Sequence, residues 1–199
     1  IKDYLKTVDF PVKKLEVMDG SKRSSHSNAY FSGMGKNKRI ALFDTLVEQM
    51  DDDEIVAVIA HEVGHYKLKH IYTGIFLSAI QSGIMFFLLS IFLNNSELFA
   101  AFKMDNLSVY ASLLFFSILY SPIELIMSLR GNAVSRKHEF EADAFAKKHI
   151  GTGEHLVGGL KNLTVTSLGN LTPHPLTVWL NYSHPPVLNR IKALGNKNK

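Results

Sequence analysis

His61-Glu62-Val63-Gly64-His65 follows the apolar run Ile55, Val56, Val58, Ile59 and Ala60, which Asp51, Asp52, Asp53 and Glu54 precede. Acidic residues ahead of an apolar run suit the unpaired N–H groups of a helix start, so the stretch reads as the interior of a helix. At about 3.6 residues per turn, imidazoles four positions apart project from one face and can share one metal ion. Glu62 then lies beside the open coordination position, where a carboxylate can take a proton from activated water. His61 and His65 are therefore candidate ligands, and Glu62 is the candidate general base. Read alone, so short a pattern also fits a surface helix with two solvated histidines.

A hydrolytic zinc site needs a third protein ligand, and Ser135-Arg136-Lys137-His138-Glu139-Phe140-Glu141-Ala142-Asp143 offers one. Glu139 and Asp143 are four apart and share a helix face, while Glu141 points elsewhere. Glu139 is the expected third ligand. Asp143 suits the shell behind it, accepting an N–H from a ligating imidazole, with His61 as the expected partner. His138 faces about 100° away from Glu139 and is left out of the metal shell. The competing reading is a charged amphipathic helix in which Arg136, Lys137, Lys147 and Lys148 pair with the acids.

Between the two motifs, Ile71 to Leu93 contains no charged residue, and Leu107 to Leu129 contains only Glu124. Each is long enough to cross a hydrocarbon core at about 1.5 Å per residue, so both read as membrane spans. Lys67 and Lys69 precede the first span, Arg130, Arg136 and Lys137 follow the second, and Lys103 is the connection's one basic residue. The positive-inside tendency then puts both flanks in the cytoplasm and the connection on the external or lumenal side. An out-and-back hairpin returns the chain to the side it left, which brings Glu139 within reach of His61 and His65 near the cytoplasmic membrane face. Pro122 can kink the second span. Glu124 either lines a cavity or pairs with a basic group, or snorkels from its place near the cytoplasmic end.

Hydrophobic residues make up 46% of the chain and the net charge is +4, a balance that suits a membrane-attached enzyme and calls for no nucleic-acid partner. The absence of cysteine excludes disulfides and thiolate ligands, leaving His and carboxylate to hold any metal. With Ile1 first and no targeting segment, the chain reads as part of a longer protein. Short strands are expected in VKKLEVMDG (12–20), SNAYFSG (27–33) and KRIALFDTL (38–46). A free sheet edge at Asn28, Ala29 and Tyr30 could take an extended peptide as an added strand, or the strands could simply pack the catalytic helix. Gly151 to Gly159 reads as a loop, Leu160 to Leu168 as a short helix, and Lys192 to Lys199 as a frayed end. His184, held before Pro185 and Pro186, is either an oxyanion donor or a structural surface residue. Asn106, Asn162, Asn170 and Asn181 begin Asn-x-Ser/Thr sequons, three of them on the side assigned to the cytoplasm, where they should stay unmodified.

The phrases GSKRSSHSNAYFSGMGKNKRIALFDTL, VAVIAHEVGHYKLKH, SRKHEFEADAFAKK and NYSHPPVLNRIKAL, in this order around two apolar spans, resemble the membrane zinc CaaX prenyl endopeptidase family. The likeness runs from about Val12 to Leu194. It implies a mainly α, zincin-like membrane metalloprotease catalytic portion with a small β-sheet and a two-helix transmembrane hairpin. Residues 1–70 and 130–199 would form the catalytic domain, and residues 71–129 the hairpin. It further implies one zinc ion per chain on His61, His65 and Glu139, Glu62 as catalytic acid/base, and His184 as a substrate or transition-state contact. Asn28 to Tyr30 would belong to the substrate-binding strand. The implied substrate is a C-terminally prenylated CaaX protein, cut after the isoprenylated cysteine by a multi-pass enzyme in the bilayer. Family members carry further membrane helices ahead of this segment, and these residues contain none. The alternative is a membrane quality-control zinc protease that does not require prenylation.

Overall fold

The computed structural model describes residues 1–22, 29–33, 37–93, 95–104, 106 and 108–195. Helix α1 (Lys2–Thr7) leads into strands β1 (Lys14–Met18), β2 (Ala29–Ser32) and β3 (Arg39–Phe43), followed by α2 (Asp44–Gln49) and α3 (Asp52–Lys67). Next come α4 (His70–Phe92), α5 (Ser96–Ala101) and the long α6 (Val109–Ile150), then α7 (Glu154–Thr166), α8 (Pro175–Asn181) and α9 (Val187–Gly195). The strands form one sheet in the order β1-β3-β2, with β1 parallel and β2 antiparallel to β3. Ile40, Ala41 and Leu42 of β3 are all buried, as befits a central strand, and β2 is left as an edge.

Helix α3 is the hub because two of its faces pack into separate cores and a third is turned to the candidate site. Ile55, Ile59 and Val63 pack into a core with Leu5, Phe10, Ile40, Leu42 and Leu46, joining it to α1 and the sheet. Ala57 and Ala60 pack with Ala146, Leu156, Leu160 and Leu194, joining it to α6, α7 and α9. The remaining face carries His61 and His65. Its start is secured by Asp51, whose side chain accepts from the Glu54 N–H at 2.8 Å while the Glu54 carboxylate accepts from the Asp51 N–H at 3.3 Å. Such a reciprocal cap satisfies two of the orphan donors of a helix N-terminus.

Helix α4 has a single buried residue, His70. Phe76, Phe86 and Phe87 stand 64%, 62% and 66% exposed, which a core helix of a water-soluble domain would not tolerate. α4 and the first half of α6 are thus long and apolar enough to cross a membrane, and most of their apolar side chains face outward, Phe115, Phe116 and Tyr120 being the buried exceptions in α6. α6 runs unbroken for 42 residues, about 63 Å at 1.5 Å per residue, roughly twice the thickness of a hydrocarbon core. The expected second span and the expected carboxylate-bearing helix are therefore one rigid rod. Pro122 lies inside it, and the Ile118 carbonyl four residues earlier, deprived of an amide partner, accepts from the Ser121 hydroxyl at 2.8 Å. Glu124 is exposed on α6, outside the cavity beside the histidines. The connection between the two long apolar helices contains α5, whose buried Phe99 meets Phe115 edge-on at 5.7 Å.

Helices α7 and α9 correct two of the sequence expectations. Gly151 to Gly159 is not a continuous loop and the helix does not wait for Leu160, because α7 begins at Glu154. Its two glycines are packing residues: a Cβ on Gly158 would collide with the Glu54 side chain, and one on Gly159 would sit 3.2 Å from Val58 Cγ2. Lacking side chains, they let α7 press against α3. α9 likewise continues to Gly195, so the helix covers part of the stretch expected to fray.

Candidate metal centre

The approach of α3 to α6 is set by the glycine inside the histidine motif. A Cβ on Gly64 would lie 3.2 Å from the Cα and the carbonyl oxygen of Ala142 and 3.2 Å from Phe145 Cβ. Gly64 against Ala142, both buried, brings the two backbones close enough for Glu139 on α6 to face His61 and His65 on α3.

At that crossing the Nε2 atoms of His61 and His65 are 3.1 Å apart. Glu139 reaches both, with Oε2 3.5 Å from His61 Nε2 and Oε1 3.3 Å from His65 Nε2. Donors bound tetrahedrally at about 2.0–2.1 Å stand about 3.3 Å from one another, so this triangle has the dimensions of a first-row metal site. The donor set fits as well. His61 Nδ1 is 2.8 Å from Asp143 Oδ1 and His65 Nδ1 is 3.0 Å from His70 Nδ1. With Nδ1–H engaged on the outer side, each Nε2 lone pair points inward beside a carboxylate, an arrangement that a divalent cation relieves. The three residues are among those able to hold a metal ion.

Arg190 of α9 was not anticipated from the sequence. It is 9% exposed and forks onto Asp143, donating from Nε to Oδ2 at 2.8 Å and from Nη2 to Oδ1 at 2.6 Å. Its Nη1 lies 3.0 Å from Glu139 Oε2. One guanidinium thus ties together the carboxylate beside the histidines and the carboxylate behind them. The signal for it was an arginine on the same side of an amphipathic helix as Leu194, four residues on, where a buried apolar residue would be usual.

His184 lies in the turn between α8 and α9, its side chain 67% exposed, with Nδ1 3.1 Å from Glu139 Oε1. α6 holds that turn through Arg136, which donates to the carbonyls of Val178 at 3.2 Å and Tyr182 at 2.6 Å, and Asn132, which donates to the Leu180 carbonyl at 3.0 Å. Ala29 and Tyr30 sit on the edge strand β2, and Tyr30 lines the cavity beside Glu62 and His65. Asn28 lies outside the described residues. That cavity, of about 710 Å³, runs from β2 past Glu62 to Leu77 and Gln81 of α4 and Val134 of α6.

The protonation pattern follows from these contacts in the metal-free protein. Burial alone would lower the His61 imidazole, but its bonds to Asp143 and Glu139 outweigh that and push it up to about 9. Burial raises the Glu62 carboxyl above the usual carboxylate range, against the opposing influence of His61 and His65. A carboxylate lifted toward neutrality is suited to taking and returning a proton. The bond to Glu139 raises His184, which burial opposes.

The profile of peptidase family M48 matches residues 1–198. A protein of Arabidopsis thaliana named CAAX prenyl protease 1 homolog is 42% identical over 200 residues, covering 100% of this chain and 47% of that protein. The Homo sapiens protein of the same name is 37% identical, covering 95% of this chain and 48% of its own length. The crystal structure of S. mikatae Ste24p superposes with a TM-score of 0.83 at 37% identity, covering 97% of this chain and 48% of that one. This chain spans about half the length of the relatives it matches. With the profile matched over nearly every residue, the chain belongs to peptidase family M48.

Proposed function

We propose that this chain is the catalytic part of a zinc-dependent membrane endopeptidase that cleaves C-terminally prenylated CaaX proteins. The observation that carries the reading is the convergence of His61, His65 and Glu139 within hydrogen-bond distance of one another. The names of the relatives, CAAX prenyl protease 1 and its homologs, support the substrate class. Zinc is the metal favoured by two imidazoles, one carboxylate and an adjacent open cavity. When bound, it supplies Lewis acidity to a scissile carbonyl and acidifies water.

The chain's own residues do the rest. Glu62 accepts the proton of the attacking water and returns it to the leaving amine nitrogen. His184 donates a hydrogen bond to the developing oxyanion from the rim of the site. The free edge of β2, with Ala29 and Tyr30 and the preceding Asn28, takes the substrate peptide as an added strand and lays it across the cavity. Asp143 orients His61. Residues 1–70 and 130–199 form the catalytic domain and residues 71–129 the hairpin, with the site on the cytoplasmic side as one part of a multi-pass protein.

In the full-length membrane-embedded protein, Glu62→Gln is expected to abolish cleavage of a farnesylated CaaX peptide while zinc stays bound. An active Gln variant removes Glu62 from the role, and equal cleavage of the unprenylated peptide removes the substrate assignment. Glu97→Cys, in a full-length protein otherwise freed of cysteine, tests the orientation; this chain itself contains none to remove. An impermeant maleimide should label it from the external or lumenal side only.

A further inference from the structure

Next to the candidate metal centre lies a second group of polar side chains, His70, His138 and Glu141, whose potential ligand atoms lie within 4.8 Å of one another. Its geometry argues against a second metal ion. Imidazole lone pairs lie in the ring plane, and the rings of His70 and His138 are stacked at 3.9 Å with only 6° between their planes, so their lone pairs do not converge. The rings of His61 and His65, at 79° to each other, do converge.

The cluster has a different connectivity. His65 Nδ1 is 3.0 Å from His70 Nδ1, and His70 Nε2 is 3.1 Å from Glu141 Oε2. If His65 presents its Nε2 lone pair to a metal, its Nδ1 carries the proton and donates it to His70 Nδ1. His70 must then carry its own proton on Nε2, where the Glu141 carboxylate accepts it. One set of tautomers satisfies every atom of the chain from the metal point outward. His70 is 8% exposed and stacked on His138, so its ring is held in place. The left-handed conformation of Lys69, at φ 60°, ends α3 and starts α4 so that His70 folds back over His65.

We propose that His70 and Glu141 are positioning residues that fix the tautomer and orientation of His65, as Asp143 does for His61. α6 would then supply, at alternate positions, the third ligand Glu139 and both orienting carboxylates, Glu141 and Asp143. One imidazole is oriented directly, and the other through an intervening histidine. The inference rests on the metal-site reading above.

The test is the zinc dissociation constant of the full-length protein, measured by competition with a chromogenic chelator, together with the visible spectrum of the cobalt-substituted protein. H70A should weaken zinc binding by about 10–100-fold, the range typical of a lost outer-shell partner, and should alter the cobalt spectrum. H70N keeps an acceptor oxygen near the position of Nδ1 and should recover part of the loss. E141A should weaken binding, whereas E141Q, which still accepts from Nε2–H, should do so less. Wild-type affinity in H70A, or H70N as weak as H70A, overturns the proposal. Should H70A not fold, the comparison of E141A with E141Q decides. A wild-type protein that binds no zinc refutes the metal site itself, a different outcome from a zinc site indifferent to His70.

Discussion

Arg190 concentrates the electrostatics of the site in one side chain. It is buried with two carboxylates, and neither Glu139 nor Asp143 has bulk water to fall back on. Breaking a buried ion pair by removing one partner typically costs about 3–5 kcal/mol, because the surviving charge stays buried. Arg190→Ala is therefore expected to lower the thermal midpoint markedly. Arg190→Lys should recover only part of it, since an ammonium cannot reproduce the fork onto Asp143. A midpoint unchanged in Arg190→Ala would contradict this. The grouping of His61, His65 and Glu139 as a candidate ligand set was legible in the sequence because spacing on a helix fixes which side chains share a face. That logic put His61 with His65 and Glu139 with Asp143. Arg190 and His70 escaped it because their roles depend on how α9 and the α3–α4 junction fold over the site, and no periodicity within one helix encodes that.

The α3–α6 crossing brings the halves of the site together, and Gly64 is its contact point. Adding a methyl there forces the Ala142 backbone aside, an overpacking cost of about 1–3 kcal/mol, against a gain of up to about 1 kcal/mol from replacing a helical glycine by alanine. Gly64→Ala should thus be destabilising on balance and should weaken zinc binding, because His61 and His65 are displaced from Glu139. Unfolding and chelator competition on the same sample check both effects, and a more stable variant with intact affinity would contradict the packing argument. The pattern of apolar and charged residues was enough to read both long apolar helices and the three strands. It did not reveal that α6 continues through Arg130 to Ser135, since loop-compatible residues such as Gly131 and Asn132 are tolerated inside a helix long enough to carry them. Gly158 and Gly159 misled in the opposite direction: glycine signals a loop locally, and its use for close helix contact is visible only once α3 is in place.

Taken together, the chain is a rod-and-hub arrangement. α3, capped and packed on two sides, presents two histidines; α6 leaves the apolar hairpin and carries the carboxylate back to them. α8 and α9, pinned to α6 through Asn132, Arg136 and Arg190, close the remaining side with His184. This organisation explains how candidate ligands far apart in sequence meet near one end of an apolar helical hairpin. The central claim is that they hold a single zinc ion. Anomalous diffraction at the zinc absorption edge from crystals of the zinc-loaded protein tests it directly. One peak is expected, about 2.0–2.1 Å from the Nε2 atoms of His61 and His65 and within bonding distance of the Glu139 carboxylate. No peak at that point, or a lone peak among His70, His138 and Glu141, would contradict the account.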